Sequence, residues 1–386
     1  MKKLLKNGLL LDAAHDYEAL DVLVEGEYIT AVGKDLPADG AEIIDLGGKT
    51  LMPTFIDAHV HVQPFIRDHG DAVLKALAYN GISAVKDLGI LDSIELEGYL
   101  DWLAPQDEPG KARVATAGRY IDVPGGYGVG PAPGETWGII IDTPEEAADM
   151  VTYQFRAGVD GIKIGISDGS MSPLIAKLSP EHVHAITERA KEYGIWTSAH
   201  VYTADDLKML VDNGIGEAAH TPNDALIDDE PIAKMAERGI PMTTTLGDET
   251  RDRGGHVPPW FASAEEYYAQ CAAKRAMSVE NLKKLYAAGG KINIGTDFMR
   301  CEDPMKEAVI PVTELRALRQ RVGMSMHDVI CAGTINAARS CGFADEGAIR
   351  PGNRASMLAF TGELDDDFAK LTALEFVMNR GEVLRG

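Results

Sequence analysis

Cysteine is scarce in this 386-residue chain: Cys271, Cys301, Cys331 and Cys341 stand far apart, and none forms a C-x-x-C pair. That spacing excludes a disulfide framework and a thiolate zinc site, and it fits buried or idle thiols in a reducing compartment. Long apolar runs are missing too, since none reaches the roughly 18 residues needed to span a bilayer. Met1-Lys2-Lys3 has the charge of a secretory n-region, but Lys6 interrupts Leu4-Leu5 before an apolar core can form. No signal peptide is read, and the expected location is cytoplasmic. Positive charge is also in short supply, with 37 Lys and Arg against 60 Asp and Glu, a formal net charge of -23. Such a surface repels phosphate backbones and anionic lipid, which argues against nucleic-acid and membrane partners, while it can steer cations toward a cleft. Repeats and low-complexity tracts are absent, and 45% hydrophobic with 25% charged residues is the ordinary mix of a globular protein.

What is present divides into three stretches. Residues 1–51 are strand-like and turn-rich, with a hairpin pattern from Asp21-Val22-Leu23-Val24 through Gly26 into Tyr28-Ile29-Thr30-Ala31-Val32 and a further strand at 41–45. Residues 347–386 return to that character, with strands at 355–361 and 374–378 and a turn at 379–382. Both ends are expected to join in one small β-sandwich. Between them, 52–346 alternates short apolar runs with amphipathic helices, the mark of βα units. Eight strands are read, at 55–58, 84–87, 113–117, 161–164, 196–199, 217–219, 241–244 and 291–295. The fold class is therefore α/β: a (β/α)8 TIM barrel, which can absorb this length, flanked by the sandwich. Helix limits are set by caps, as where Ser179-Pro180-Glu181 opens a helix that Gly194 stops. The segments 119–138 and 247–259 fit neither strand nor helix and follow strands 3 and 7, at the face where barrels keep their active sites.

The chemistry-bearing residues fall at strand ends. Asp57-Ala58-His59-Val60-His61 ends strand 1, and residues two apart in a strand share a face, so His59 and His61 can bind one ion. A second H-x-H, His182 and His184, lies within a helix, where residues two apart diverge; these read as surface or packing residues. His200 ends strand 5, His220 strand 6 and Asp297 strand 8. Singly, each is also explained as a hydrogen-bonded core histidine or a helix cap; jointly, at one face, they point to a metal site. Lys163 ends strand 4, where a lysine is costly unless it is salt-bridged or chemically modified.

This set, with the flanking Gly81-Ile82-Ser83-Ala84-Val85-Lys86-Asp87-Leu88-Gly89, Ala199-His200-Val201-Tyr202 and Gly295-Thr296-Asp297, resembles the binuclear amidohydrolase superfamily. It is similar to the imidazolonepropionase-related branch, which includes metal-dependent dipeptidases cleaving before proline, arginine or lysine. The resemblance covers nearly the whole chain. It implies two divalent ions, zinc by ligand type, with His59, His61 and Asp297 on one, His200 and His220 on the other, and an N6-carboxylated Lys163 bridging. It further implies a bridging hydroxide as nucleophile, Asp297 as general base and acid, and Tyr202 as hydrogen-bond donor to the developing oxyanion. The implied substrate is a small molecule with an amide bond, a dipeptide or N-acyl amino acid, and a homo-oligomer is compatible with the architecture. Related dipeptidases carry Gly-Gly-His-Gly after strand 3; this chain has Gly125-Gly126-Tyr127-Gly128, which makes Tyr127 a substrate-contact candidate and departs from the peptidase pattern.

Three other readings compete. A mononuclear deaminase or cyclic-amide hydrolase needs a glutamate near the strand-5 histidine, which His200-Val201-Tyr202-Thr203 lacks, and does not need Lys163. A lactonase or organophosphate-type esterase would use the same two ions. A non-catalytic scaffold is disfavoured by the intact ligand set. For a substrate carboxylate, the candidates are Arg300 and His256, with Arg251 and Arg253 beside the latter.

Overall fold

The computed structural model describes residues 1–62, 70–91, 94–127, 138–166, 175–246, 257, 261–298 and 301–386. Strands from both chain ends form one eight-stranded sheet around a core that includes Leu5, Val22, Leu51, Met357 and Phe376. Its long first strand, Lys2–Leu11, pairs antiparallel with Asp16–Glu25 and parallel with both Glu42–Asp45 and Thr50–Pro53. Sequence pattern does not single this strand out, and the structure shows why. A register shift between Leu5 and Gly8 makes a bulge at Lys6-Asn7, where Asn7 takes φ +57°, so the alternation breaks in mid-strand.

The barrel strands are Phe55–Val60, Ile82–Asp87, Arg113–Thr116, Gly161–Gly165, Trp196–His200, Ala218–Ala219, Met242–Thr244 and Ile292–Ile294, all paired in parallel. The ring closes where strand 8 meets strand 1: the N–H groups of Thr296 and Asp297 donate to His59 O at 3.2 and 2.8 Å, and Val60 bridges Phe298. Strand 3 is broken. Arg113–Thr116 pairs with strand 2, and after a three-residue jog Tyr120–Asp122 pairs with strand 4. The expectation of an irregular segment from residue 119 is therefore corrected at its start: Tyr120-Ile121-Asp122 continues the strand and is fully enclosed. Helices follow the strands on the outside, from Gly70–Tyr79 to Ala264–Ala287, and cap as read, with Ser179 on His182 N–H and Gly194 at φ +68°.

The barrel interior is partly polar. Lys86 on strand 2 is wholly buried, donates to the Glu217 carboxylate and to Ser340 O (2.9 Å), and lies 4.0 Å over the Trp196 ring. Glu217 also accepts from Thr243 and Ser340 hydroxyls. A buried pair of this kind persists because its remaining donors and acceptors are satisfied.

Candidate metal centre

The C-terminal strand ends bring the predicted residues together. His59, His61 and Asp297 offer ligand atoms lying within 4.8 Å of one another. Asp297 Oδ1 is 3.4 Å from His59 Nε2 and 3.2 Å from His61 Nε2. The His59 ring centroid is 4.7 Å from that of His220, which in turn is 4.6 Å from that of His200. All four histidines are buried. A register shift between Asp57 and Val60 puts a bulge in strand 1 where the two histidines begin, and bulges re-aim side chains beside active sites. His220 (φ +72°) and Asp297 (φ +51°) both hold left-handed backbone, costly for residues with a Cβ and common where a site dictates geometry.

Hydrogen bonds orient the ring nitrogens. His61 Nδ1 lies 3.0 Å from Gly89 O, which can only accept, and this contact sets the ring with Nε2 toward Asp297. His220 Nδ1 is held by Thr245 Oγ1 at 2.8 Å. Burial, and then neighbouring positive charge, keeps His59 and His200 well below the usual imidazole range; burial takes His220 down to about 3. The imidazoles of His59, His200 and His220 are therefore neutral, the form that ligates metal. Burial opposes ionisation of Asp297, but the imidazole edges of His59, His61 and His220 that face it outweigh burial and hold the carboxyl well below its ordinary value.

Among the described residues, both ring nitrogens of His59, Nε2 of His200 and Nζ of Lys163 are buried without a hydrogen-bond partner. Orphaned donors and acceptors of this sort cost free energy unless something meets them. Imidazole nitrogens and a carboxylate converging on one space fit divalent metal. Lys163 lies opposite, fully enclosed, 5.8 Å from the Tyr120 ring, and desolvation brings its pKa down to about 7. The salt bridge that would have made it merely structural is not formed with any described residue.

Tyr202 stacks on His220 (4.7 Å, 20°) and meets His200 edge-on at 4.9 Å. Tyr127 stacks on His200 at 3.7 Å and 15°. His182 and His184 are elsewhere, the first completing the cap of helix Pro180–Tyr193 and the second exposed. His256 and Arg300, with Arg251 and Arg253, lie outside the described residues.

Three supporting residues escaped sequence reasoning. Asp57 accepts from Thr296 N (3.1 Å), Thr296 Oγ1 (2.6 Å) and His59 N (3.1 Å), tying strand 1 to the strand that carries Asp297. Tyr120 walls the space beside Lys163 and His61; the apolar run Tyr120-Ile121-Asp122-Val123 was the available signal. Thr245, just after strand 7, gives no sequence signal beyond its position.

A family model described as "Amidohydrolase family" matches residues 50–386. The chain belongs to the amidohydrolase family. An amidohydrolase crystal structure superposes with a TM-score of 0.80 at 25% identity, covering 99% of this chain and 98% of that one. A Xaa-Pro dipeptidase with bound methionine superposes at 0.82 and 22% identity over 100% of both chains, a likeness of fold. By sequence, a dihydroorotase of Pediococcus pentosaceus is 24% identical over 75% of this chain and 58% of its own length. A D-hydantoinase of Geobacillus stearothermophilus is 36% identical over 22% of this chain and 21% of its own. The matched segments thus span less than two thirds of these curated relatives. This amidohydrolase chain has, among its described residues, no helix long and apolar enough to cross a membrane.

Proposed function

We propose that this amidohydrolase is a metal-dependent enzyme that cleaves the C–N bond of an amide in a small molecule, a dipeptide or an N-acyl amino acid. The observation that carries the reading is Lys163: buried, without a hydrogen-bond partner among the described residues, and within the electrostatic reach of Asp297, His59 and His200. A carbamate on that lysine would give the two histidine groups a shared anionic ligand. His59, His61 and Asp297 would hold one ion and His200 and His220 the second. When bound, the ions supply Lewis-acid polarisation of the scissile carbonyl and a water acidified to a pKa of roughly 7. The protein's own contribution is positional. Asp297, ionised and beside the ligand cluster, accepts the proton released by the attacking water and returns it to the departing nitrogen. The Tyr202 phenol, set between His200 and His220, donates to the carbonyl oxygen as charge builds there. Tyr127, stacked on His200, forms the wall against which the substrate lies.

A cyclic amide is the second reading, favoured by the similarity to dihydroorotases and a hydantoinase. The test is a zinc-loaded assay against dipeptides, N-acyl amino acids and five- and six-membered cyclic amides. Cleavage of linear amides that stops on chelation and returns with zinc is expected. Cleavage of cyclic amides alone selects the second reading, and no C–N hydrolysis at all contradicts both.

A further inference from the structure

Helix Ala264–Ala287 packs against the loop that leaves strand 6. Its buried residues Tyr267, Ser278, Asn281, Leu282 and Leu285 form a stripe at helical spacing. Asn281 fixes where that stripe looks, because its amide donates to Pro222 O and Ala225 O, each at 2.9 Å. Lys274 occupies the same stripe, seven residues after Tyr267 and four before Ser278. Its half-buried side chain reaches the strand-6 loop, where Nζ donates to Asn223 Oδ1 at 3.2 Å. The Asn223 N–H in turn donates to Tyr202 O at 2.9 Å. Two hydrogen bonds therefore connect the ammonium to the residue that borders both His200 and His220.

An ammonium has three N–H donors and a full charge. Among the described residues Lys274 meets one neutral amide and no carboxylate. Other lysines on this helix find one: Lys283 pairs with Glu280 and Lys284 with Asp229. A half-buried cation with no carboxylate partner among the described residues, two hydrogen bonds from Tyr202, is placed to receive an anion.

We propose that Lys274 is a specificity-determining residue that receives the free carboxylate of the substrate's leaving amino acid. The proposal rests on the amide-hydrolase reading above and narrows it to N-acyl amino acids and dipeptides with an unblocked C-terminus. The uncharged Asn223 amide holds the ammonium in place without neutralising it, so the charge stays available to the ligand.

The deciding quantity is the ratio of kcat/KM for an N-acetyl amino acid to that for its primary amide, read as acetate released by the zinc-loaded full-length protein. Wild type is expected to prefer the free acid. Lys274→Met lowers the ratio by about 10- to 100-fold, chiefly through KM, as loss of a charged hydrogen bond does. Lys274→Gln, which keeps a donor for Asn223 but not the charge, lowers it as well, and Lys274→Arg retains most of it. If wild type is active and the ratio is the same in Lys274→Met, the assignment falls while the amide-hydrolase reading stands. If wild type hydrolyses neither N-acetyl amino acids nor dipeptides, with the C-terminus free or amidated, that reading falls and the assignment goes with it.

Discussion

Lys163 shows how much chemistry a single position can carry. Desolvation brings its ammonium down to about 7, and no described residue offers Nζ a hydrogen bond. A lysine whose pKa is lowered is charged below that value and a free amine above it. The amine is the form that adds CO2, so reconstitution of apoprotein with zinc at fixed dissolved CO2 should be slow at pH 6, rise through about pH 7 and level off by pH 9. Recovery of activity with time reads this out; a rate independent of pH across that window would contradict the role given to Lys163. Much of the residue scale could be read in advance. His59, His61, His200, His220 and Asp297 were each placed at a strand end from apolar runs alone; the structure clusters His59, His61 and Asp297 and sets His220 beside His59 and His200 beside His220. What sequence could not show is the backbone they sit on: left-handed φ at His220 and Asp297 is a property of the closed barrel. Asp57 was visible as part of its motif, but its grip on Thr296 depends on two strands 239 residues apart becoming neighbours.

Among the elements, the seam between strands 1 and 8 matters most, because it carries three of the proposed ligands. Asp57 and the His59 carbonyl bind the Thr296-Asp297 backbone across it, and Gly295 lets the strands close up. A Cβ at Gly295 would lie 2.7 Å from His59 Cβ, 2.7 Å from Thr243 Cγ2 and 3.0 Å from Thr244 O. None of these is the free end of a flexible chain, so Gly295→Ala must displace the His59 backbone. Misplacing a ligand's support weakens metal sites, and zinc affinity measured by competition with a chelating dye should fall by about 10- to 100-fold. Affinity equal to wild type would mean that the seam does not set the site. All eight barrel strands were anticipated near their observed limits, since each is a short apolar run beside a capped helix. Tyr120–Asp122 was missed because the jog after Thr116 and the glycines that follow hide a strand of three residues. Lys2–Leu11 was missed because its bulge falls on Lys6-Asn7, where alternation would have shown.

At the scale of the whole molecule, the two chain ends close a second layer against the barrel. A chain of ion pairs stitches them: Arg380 to Glu27 at 2.8 Å, Arg354 to Asp345 at 2.9 Å, and Asp345 on to Arg113 of strand 3 at 3.1 Å. This leaves the strand ends with the histidines free to serve as the working face, as barrels do. The excess of acid over base gives a surface that attracts cations. The central claim is that this face holds two divalent ions with Lys163 between them. Elemental analysis of protein expressed with zinc and bicarbonate tests it most directly. The account predicts about two ions per chain, as in bridged two-metal sites, and clearly fewer for Lys163→Met. About one ion per chain in the wild type, unchanged by that substitution, would contradict it.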